Sequence, residues 1–226
     1  MEEIIYEDSH VILVHKPGGI SVQTRRMGEK DMVSILKNYR ANKGEQPYIG
    51  VIHRIDQPVE GLLLFAKTKE AAVKLSGQFQ KRGINKIYRA IVINEKGVAF
   101  SIGKEVSLCH YLLKDGRTNL SEPVKEGTPG AKKAILHYTV LKTNENLAEV
   151  LIRLETGRHH QIRVQMAAEG LPLAGDRKYG GFQKTLPDKA GREVALCAAQ
   201  ISFLHPKTGK KMHFEIRPQN SIFQLL

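Results

Sequence analysis

Residues 53–68 read HRIDQPVEGLLLFAKT and place a polar turn directly before an apolar run. The polar part brings an imidazole, a cation and a carboxylate close together: His53, Arg54 and Asp56. Pro58 and Gly61 mark a turn, and the apolar residues 62–66 are typical of a buried strand. A loop held against a core strand keeps its side chains rigid, so we expect this stretch to hold reactive groups.

Apolar periodicity predicts further elements on both sides of this stretch. Additional strands are expected at residues 4–6, 11–15, 86–93, 135–141, 147–154, 200–204 and 211–216. Helices are expected at residues 31–40, 68–81 and 160–169. Because strands outnumber helices without a regular strand–helix–strand repeat, the pattern predicts an α+β fold with a largely antiparallel mixed sheet, flanked by helices and loops.

Two details of this prediction concern packing and domain organisation. Apolar residues recur at four-residue spacing in the second helix at Ala71, Leu75 and Phe79. This spacing predicts one buried face, and Thr68 can cap the helix. Residues 94–133 are rich in glycine and proline, and we interpret them as peripheral strands and loops rather than a linker. We therefore expect a single domain over residues 1–226.

The charge of the chain restricts its partners. Lysine and arginine number 35 against 23 aspartate and glutamate, a formal net charge of +12 at pH 7. This balance favours a nucleic-acid partner, with a solvated basic surface as the alternative. Cys109 and Cys197 lie outside any CxxC pair, which argues against a disulfide framework. No secretory signal or bilayer-spanning run is apparent, so we expect a cytoplasmic protein and no membrane partner.

A second polar cluster occupies residues 154–163, LETGRHHQIR, at the predicted start of the third helix. Its basic members are Arg158, His159, His160 and Arg163. Helix N-termini attract anions, so phosphate binding is physically reasonable here, although solvated histidines would give the same pattern. The adjacent histidines point in different directions on a helix and lack carboxylate or cysteine partners, so we expect no metal site.

Two single residues are further candidates for chemistry. Tyr88, flanked by Lys86 and Arg89, could stack on a base, or could be an ordinary strand tyrosine. Asp56 could act as a nucleophile or base toward a sugar, or could simply close a turn. Aromatic residues make up only 6% of the chain, so a dedicated aromatic in an enzyme pocket fits better than a broad stacking platform.

Taken in order, these motifs resemble those of the RluA-like family of RNA pseudouridine synthases. HRIDQPVEGLLLFAKT is similar to the family's HRLD…GLLLFAKT pattern, and KIYRA at 86–90 is similar to its Lys-x-Tyr motif. Residues 4–22 resemble its opening strand pair with a Lys-Pro-Gly motif. Residues 154–181, continuing to GLPLAGDRKYGG, resemble its second long signature, and LCAAQISFLHP at 196–206 resembles its LHA…HP segment. The matches cover nearly the whole chain.

The resemblance implies a pseudouridine synthase fold and the isomerisation of uridine in RNA. Asp56 would be the catalytic carboxylate, and Arg163 would pair with it. Tyr88 would stack on the flipped uracil, and Arg54 would fill the gap that the uridine leaves. The other residues expected at the RNA are His53, Arg158, His160, Gln161 and Leu196. The reaction needs no metal or redox cofactor, and whether Asp56 attacks C1′ or removes the 2′ proton stays open.

The chain also departs from the family pattern. Val59 and Glu60 stand where the family usually has Thr-Ser, and Cys197 replaces its usual histidine. The negative charge of Glu60 could repel phosphate, or a nearby lysine or arginine could neutralise it. Many members carry an S4-type RNA-binding domain ahead of the catalytic domain, and we expect none here.

Three interpretations follow, each with RNA as the partner. The first is an active synthase that modifies specific uridines in ribosomal or transfer RNA. The second is a catalytically impaired RNA-binding relative, motivated by Val59 and Glu60. The third is a metal-independent RNA phosphodiester hydrolase built around Asp56. It would use the imidazoles of His53, His159 and His160, and it leaves the ordered motifs unexplained.

Overall fold

The chain folds into two units, each with its own hydrophobic core. The computed structural model describes residues 3–24, 26, 28–81, 83–144, 146–181 and 193–226. The first unit comprises Met1–Lys86 and Cys197–Pro218, and the second comprises Ile87–Leu196 and Gln219–Leu226. The single domain expected over the whole chain stays a prediction.

Strands dominate the described part of the chain. They are β1 (Glu3–Glu7), β2 (Val11–Lys16), β3 (Gly50–Val51), β4 (Glu60–Ala66), β5 (Asn85–Ile93), β6 (Glu105–Asp115), β7 (Leu120–Val124), β8 (Lys132–Asn144), β9 (Leu147–Leu154), β10 (Leu196–Leu204) and β11 (Lys211–Glu215). The helices are α1 (Met32–Asn42), α2 (Lys69–Gln80), α3 (Gln161–Ala168) and a 3-10 helix at Ser221–Leu225. Among the described residues, no helix has the length and apolar character needed to cross a membrane.

The first unit is built on a mixed sheet. Strand β4 pairs with β2 in antiparallel and with β10 in parallel orientation, while β1 extends the sheet beyond β2. Strand β11 pairs antiparallel with β10, as the predicted C-terminal strand pair requires. Every residue of β2 and β4 is buried, which confirms the buried strand read from the run 62–66. The predicted α+β fold class is therefore confirmed.

Helix α2 begins directly after its predicted capping residue. Thr68 accepts a hydrogen bond from the backbone N–H of Ala71 at 3.1 Å, which confirms Thr68 as the cap of α2. Ala71 and Leu75 are buried, as predicted. The prediction of a buried position was wrong for Phe79, which is 39% exposed. Phe79 lies in the last turn of α2, where its ring stacks beside the imidazole of His53 at a centroid distance of 6.2 Å.

Gly61 also differs from its predicted role as a turn residue, because it lies inside β4. Its φ of +131° is unfavourable for other residues, and a Cβ there would lie 2.7 Å from the Cα of Ala198 on β10. Glycine at this position therefore permits the close approach of the parallel strand. The turn itself lies earlier, between Asp56 and Val59.

The second unit contains an antiparallel sheet with strand order β5-β9-β8-β6-β7. The hairpin predicted over 135–154 is confirmed as β8 and β9, with β8 beginning earlier at Lys132. Residues 94–133 contain β6 and β7, as expected of peripheral strands. The 3-10 helix was not predicted, and its Ile222 packs into a core cluster with Ile91 and Ile93.

Candidate active site

Asp56 lies in the turn that leads into β4. The backbone N–H of Val59 donates to the carbonyl oxygen of Asp56 at 3.1 Å and closes this turn. The side chain of Asp56 is half-buried, whereas Val59 is almost completely buried. The carboxylate is thus carried by a short backbone segment that enters the core immediately after it.

A buried lysine, Lys16, donates a hydrogen bond to the backbone of this turn. Lys16 is completely buried, and its Nζ donates to the carbonyl oxygens of Pro17 and Ile20 at 2.8 Å and of Gln57 at 3.1 Å. The backbone N–H of Gly19 also donates to the Gln57 carbonyl at 2.8 Å, and the Gln57 side-chain amide returns a bond to the Gly19 carbonyl at 3.0 Å. The loop after β2 is therefore bonded to the residue next to Asp56.

The two residues expected beside Asp56 differ in exposure. Arg54 is exposed, and its guanidinium donates to the side-chain oxygen of Gln23 at 3.1 Å. His53 is buried, and its Nε2 accepts a hydrogen bond from the backbone N–H of Leu64 at 3.3 Å. Burial, and secondarily the positive charge of Lys86, holds the pKa of His53 well below its usual range. This neutral, enclosed ring argues against direct RNA contact and against a hydrolase that uses it.

Tyr88 and Leu196 belong to the second unit. Tyr88 is 5% exposed on β5, opposite Ile152 of β9, and Leu196 is the buried first residue of β10. Their expected roles at the flipped uracil and in the pocket lining stay predictions.

Arg163 is bound by an acidic residue of its own unit. Its Nε and Nη2 donate to the two carboxylate oxygens of Asp176, each at 2.7 Å, and both residues are almost completely buried. The guanidinium carbon lies 5.2 Å from the ring centroid of Tyr179. Asp176 uses one edge of the guanidinium, and the fork geometry of arginine allows a second carboxylate on another edge. The pairing of Arg163 with Asp56 stays a prediction.

The basic cluster before α3 is tied into a hydrogen-bond network. His160 has a left-handed backbone with φ of 51°, and its Nδ1 lies 2.8 Å from the hydroxyl of Tyr179. His159 stacks on His160 at a centroid distance of 3.7 Å. Arg158 is exposed, and its Nε donates to the carbonyl of Lys133 at 2.9 Å. The structure therefore leaves Arg158 the most accessible of the predicted phosphate contacts in this cluster.

Gln161 closes the loop before α3. Its Oε1 accepts from the hydroxyl of Thr156 at 2.8 Å and from the backbone N–H of Arg158 at 2.9 Å. Its Nε2 donates to the carbonyl of Ile135 at 3.0 Å, and the residue is 4% exposed. These bonds favour a structural role for Gln161 over the expected RNA contact.

Three residues that contact the predicted site segments were not assigned a role from the sequence. They are Lys16, Asp176 and Tyr179. Each lies within a stretch that carries the family resemblance, Lys16 in KPGG and the other two in AGDRKYGG, so the sequence signal was available. The partners of their side chains, however, are set by tertiary contacts, which cannot be read from the sequence.

The side chain of Glu60, one of the departures from the family pattern, is buried in the protein. Glu60 is 5% exposed, and its Oε2 lies 3.4 Å from Nε2 of His15 on β2. Phosphate repulsion was one expected effect of this carboxylate, and its burial argues against that effect. The imidazole of His15 was not among the neighbours of Glu60 predicted from the sequence.

Comparison with known proteins identifies the class of protein to which this fold belongs. A family model described as RNA pseudouridylate synthase matches residues 10–168, so the chain belongs to this family. A ribosomal large subunit pseudouridine synthase D of Zymomonas mobilis is 33% identical over 99% of the chain and 72% of the relative. The corresponding protein of Pseudomonas aeruginosa is 34% identical over 94% of the chain and 67% of the relative.

Further relatives and solved structures extend this comparison. An uncharacterized RNA pseudouridine synthase of Bacillus subtilis is 33% identical over 91% of the chain and 65% of the relative, so the chain spans about two thirds of such proteins. The structure of human RNA pseudouridylate synthase domain containing 4 matches with a TM-score of 0.77 at 20% identity, covering 99% of this chain and 91% of that one. Human RNA pseudouridylate synthase domain containing 1 matches with a TM-score of 0.72 at 22% identity, covering 96% and 84%. The pseudouridine synthase fold is thereby confirmed.

Proposed function

We propose that this chain converts specific uridines of ribosomal or transfer RNA into pseudouridine, with Asp56 as its catalytic carboxylate. The observation that carries this proposal is the anchored turn, in which Lys16 and Gly19 bind the carbonyl of the residue after Asp56. A carboxylate on a fixed backbone can be held at attacking distance from a sugar, which supplies much of an enzyme's rate enhancement.

The reaction is balanced without an external reagent. The N1–C1′ bond of the uridine breaks, the uracil turns, and C5 bonds to C1′ while C5 loses its hydrogen and N1 gains one. Asp56 acts at the sugar, as nucleophile at C1′ or as base toward the 2′ hydrogen. Tyr88 stacks on the flipped uracil, Arg54 fills the vacated stack, and Arg163 pairs with Asp56 and orients it.

The basic chain and the names of its relatives indicate the substrate. The net charge of +12 supports contacts to RNA phosphates, and the exposed Arg54 and Arg158 are suited to them. The relatives from Zymomonas mobilis and Pseudomonas aeruginosa are named for the large ribosomal subunit, so its RNA is the first substrate to test. We place the enzyme in the cytoplasm, where ribosomal and transfer RNA of a bacterium are available.

Tritium release from RNA labelled at C5 of uridine tests this proposal directly. Wild-type protein and Glu29→Gln, which removes an exposed carboxylate, should release tritium from ribosomal or transfer RNA, whereas Asp56→Asn should release none. Asp56→Asn should still bind RNA, because its phosphate contacts are intact. Release by Asp56→Asn at the wild-type rate would remove Asp56 from the mechanism.

The same reactions separate the two other interpretations. Wild-type protein that binds RNA but releases no tritium from either RNA class would support the impaired relative. Strand scission on a denaturing gel, without tritium release, would support the hydrolase. The buried Nε2 of His53, already bonded to Leu64, argues against this last outcome.

A further inference from the structure

The two departures from the family pattern are neighbours in the first unit. Strands β4 and β10 pair in parallel with Glu60 directly opposite Cys197. On the other side of β4, His15 of β2 is paired with Leu62, two residues beyond Glu60. Because side chains alternate along a strand, Glu60, Cys197 and His15 point to the same face of the sheet.

His15 and Glu60 make a buried imidazole–carboxylate contact on this face. The two residues are 4% and 5% exposed, and Nε2 of His15 lies 3.4 Å from Oε2 of Glu60. A carboxylate with so little solvent contact is strongly destabilised unless a charged or hydrogen-bonding partner compensates it. Nδ1 of His15 faces a second carboxylate, that of Glu3 on β1, at 3.7 Å. The Nε2–Oε2 approach is within ion-pair distance but is not a hydrogen bond, since the buried Nε2 of His15 makes no hydrogen bond to the described residues.

The pair is placed next to the anchors of the catalytic turn. Glu60 follows Val59, whose N–H closes the turn on the carbonyl of Asp56 at 3.1 Å. His15 precedes Lys16, whose ammonium binds the carbonyl of Gln57. Two consecutive residues of β2 therefore contact both sides of the turn. Lys16 contacts Gln57 within the turn, and His15 contacts Glu60, the first residue of β4.

We propose that His15 and Glu60 form a positioning pair that fixes the β4 end of the turn carrying Asp56, an inference that rests on the proposed role of Asp56. The family pattern has a serine hydroxyl at position 60 and a histidine at position 197, which this register places opposite one another. In this chain the hydroxyl is replaced by a carboxylate, and the imidazole is supplied from β2 instead of β10. The two departures face each other across the β4–β10 pair and form one coupled exchange.

Single and combined exchanges test this coupling through kcat and KM for RNA. Glu60→Gln keeps the shape of the side chain but removes its charge, and it should lower kcat by about tenfold or more with little change in KM, since it shifts Asp56 without removing an RNA contact. His15→Gln should have a similar effect. His137→Gln is the matched control, because it breaks an imidazole–carboxylate contact of 2.6 Å with Glu155 in the second unit, and it should leave kcat unchanged.

Rescue by the family pair is the decisive comparison. Glu60→Ser should reduce kcat as Glu60→Gln does, and Glu60→Ser combined with Cys197→His should recover most of the loss. A wild-type kcat in Glu60→Gln, or a double variant no more active than Glu60→Ser alone, would overturn the coupled exchange.

Urea denaturation of the same variants measures the contact independently of catalysis. The effects of His15→Gln and Glu60→Gln on the unfolding midpoint should be smaller in combination than their sum, because each single change already breaks the contact. Strict additivity would overturn the pairing. Wild-type activity in Asp56→Asn would instead overturn the proposed role of Asp56 while leaving a measured coupling between His15 and Glu60 in place.

Discussion

The ammonium nitrogen of Lys16 lies 3.1 Å from the carbonyl oxygen of Gln57, the residue that follows Asp56. Lys16 is completely buried, and a buried ammonium group is unfavourable unless hydrogen bonds replace its water. Its bonds to the carbonyls of Pro17 and Ile20 complete this replacement. A single side chain thus links the KPGG segment to the turn of the HRIDQPVEG segment.

Lys16→Met should impair catalysis more than RNA binding. The methionine leaves the carbonyl oxygens of Pro17, Ile20 and Gln57 without the ammonium donor, at about 1–3 kcal/mol for each group that is shielded from water and finds no other partner. The turn should loosen, so kcat should fall while the RNA dissociation constant stays near the wild-type value. Lys37→Met, at an exposed position of α1, is the control that removes the same charge. Equal kcat in Lys16→Met and Lys37→Met would show that the turn does not depend on Lys16.

Asp176→Asn should destabilise the folded protein strongly. It removes the charge of Asp176 from a buried bidentate pair with Arg163, a change that typically costs about 3–5 kcal/mol. The measurement is the free energy of unfolding in urea, with Arg153→Gln as control. Arg153 is 48% exposed and pairs with the exposed Glu105, so its loss should cost about 1 kcal/mol or less. Comparable losses in the two variants would contradict the structural importance of the Arg163–Asp176 pair.

Tyr88→Phe should retain more activity than Tyr88→Leu. Phenylalanine keeps an aromatic face for the uracil, whereas leucine loses the stacking energy of about 0.5–1.5 kcal/mol that aromatic pairs supply. The measurement is kcat/KM for tritium release, with unfolding curves of both variants to separate stacking from core packing, because Tyr88 is 5% exposed. Equal activity in the two variants would remove stacking as the role of Tyr88.

At pH values lower than 6.5, the free energy of unfolding should decrease, in part because of His53. Burial, followed by the charge of Lys86, holds the pKa of His53 well below its ordinary value of 6.5. In acid the unfolded chain protonates this ring before the folded protein does, so the free energy of unfolding decreases as the pH falls from 6.5 toward the lower folded-state pKa.

The variant His53→Gln tests this assignment by comparison of its pH profile with that of the wild type. It removes the titration while keeping an acceptor for the Leu64 N–H. Its slope between pH 6.5 and 4.5 should be smaller by up to one proton, or about 1.4 kcal/mol per pH unit. Parallel profiles for the two proteins would show that another group causes the acid sensitivity.

Local patterns predicted most elements because their causes are local. The capping hydroxyl of Thr68 and the apolar run of β4 act within a few residues of themselves, so the sequence sufficed for both. Phe79 was placed wrongly because the four-residue spacing cannot tell where a helix leaves the core. Gly61 was read as a turn because its actual neighbour, Ala198, lies 137 positions away in the chain.

The site divides in the same way. The reactive residue types and their order could be read from the sequence, and they sufficed to identify the family that the comparisons show. The partners of those residues could not be read from the sequence, since Lys16 contacts Gln57, 41 positions away, and Arg163 contacts Asp176, 13 positions away, only in the folded chain. The burial of His53 likewise became apparent only in the fold.

By itself, the sequence determined the fold class, the reaction class and the residue proposed to carry the reaction, because each is written in short contiguous motifs. Only the tertiary structure decided where the departures at Glu60 and Cys197 lie. Whether a carboxylate repels RNA or is compensated inside the protein depends on which strand lies beside it. Here β2 brings His15 to Glu60 and β10 brings Cys197 opposite it, and strand pairing is a property of the folded chain.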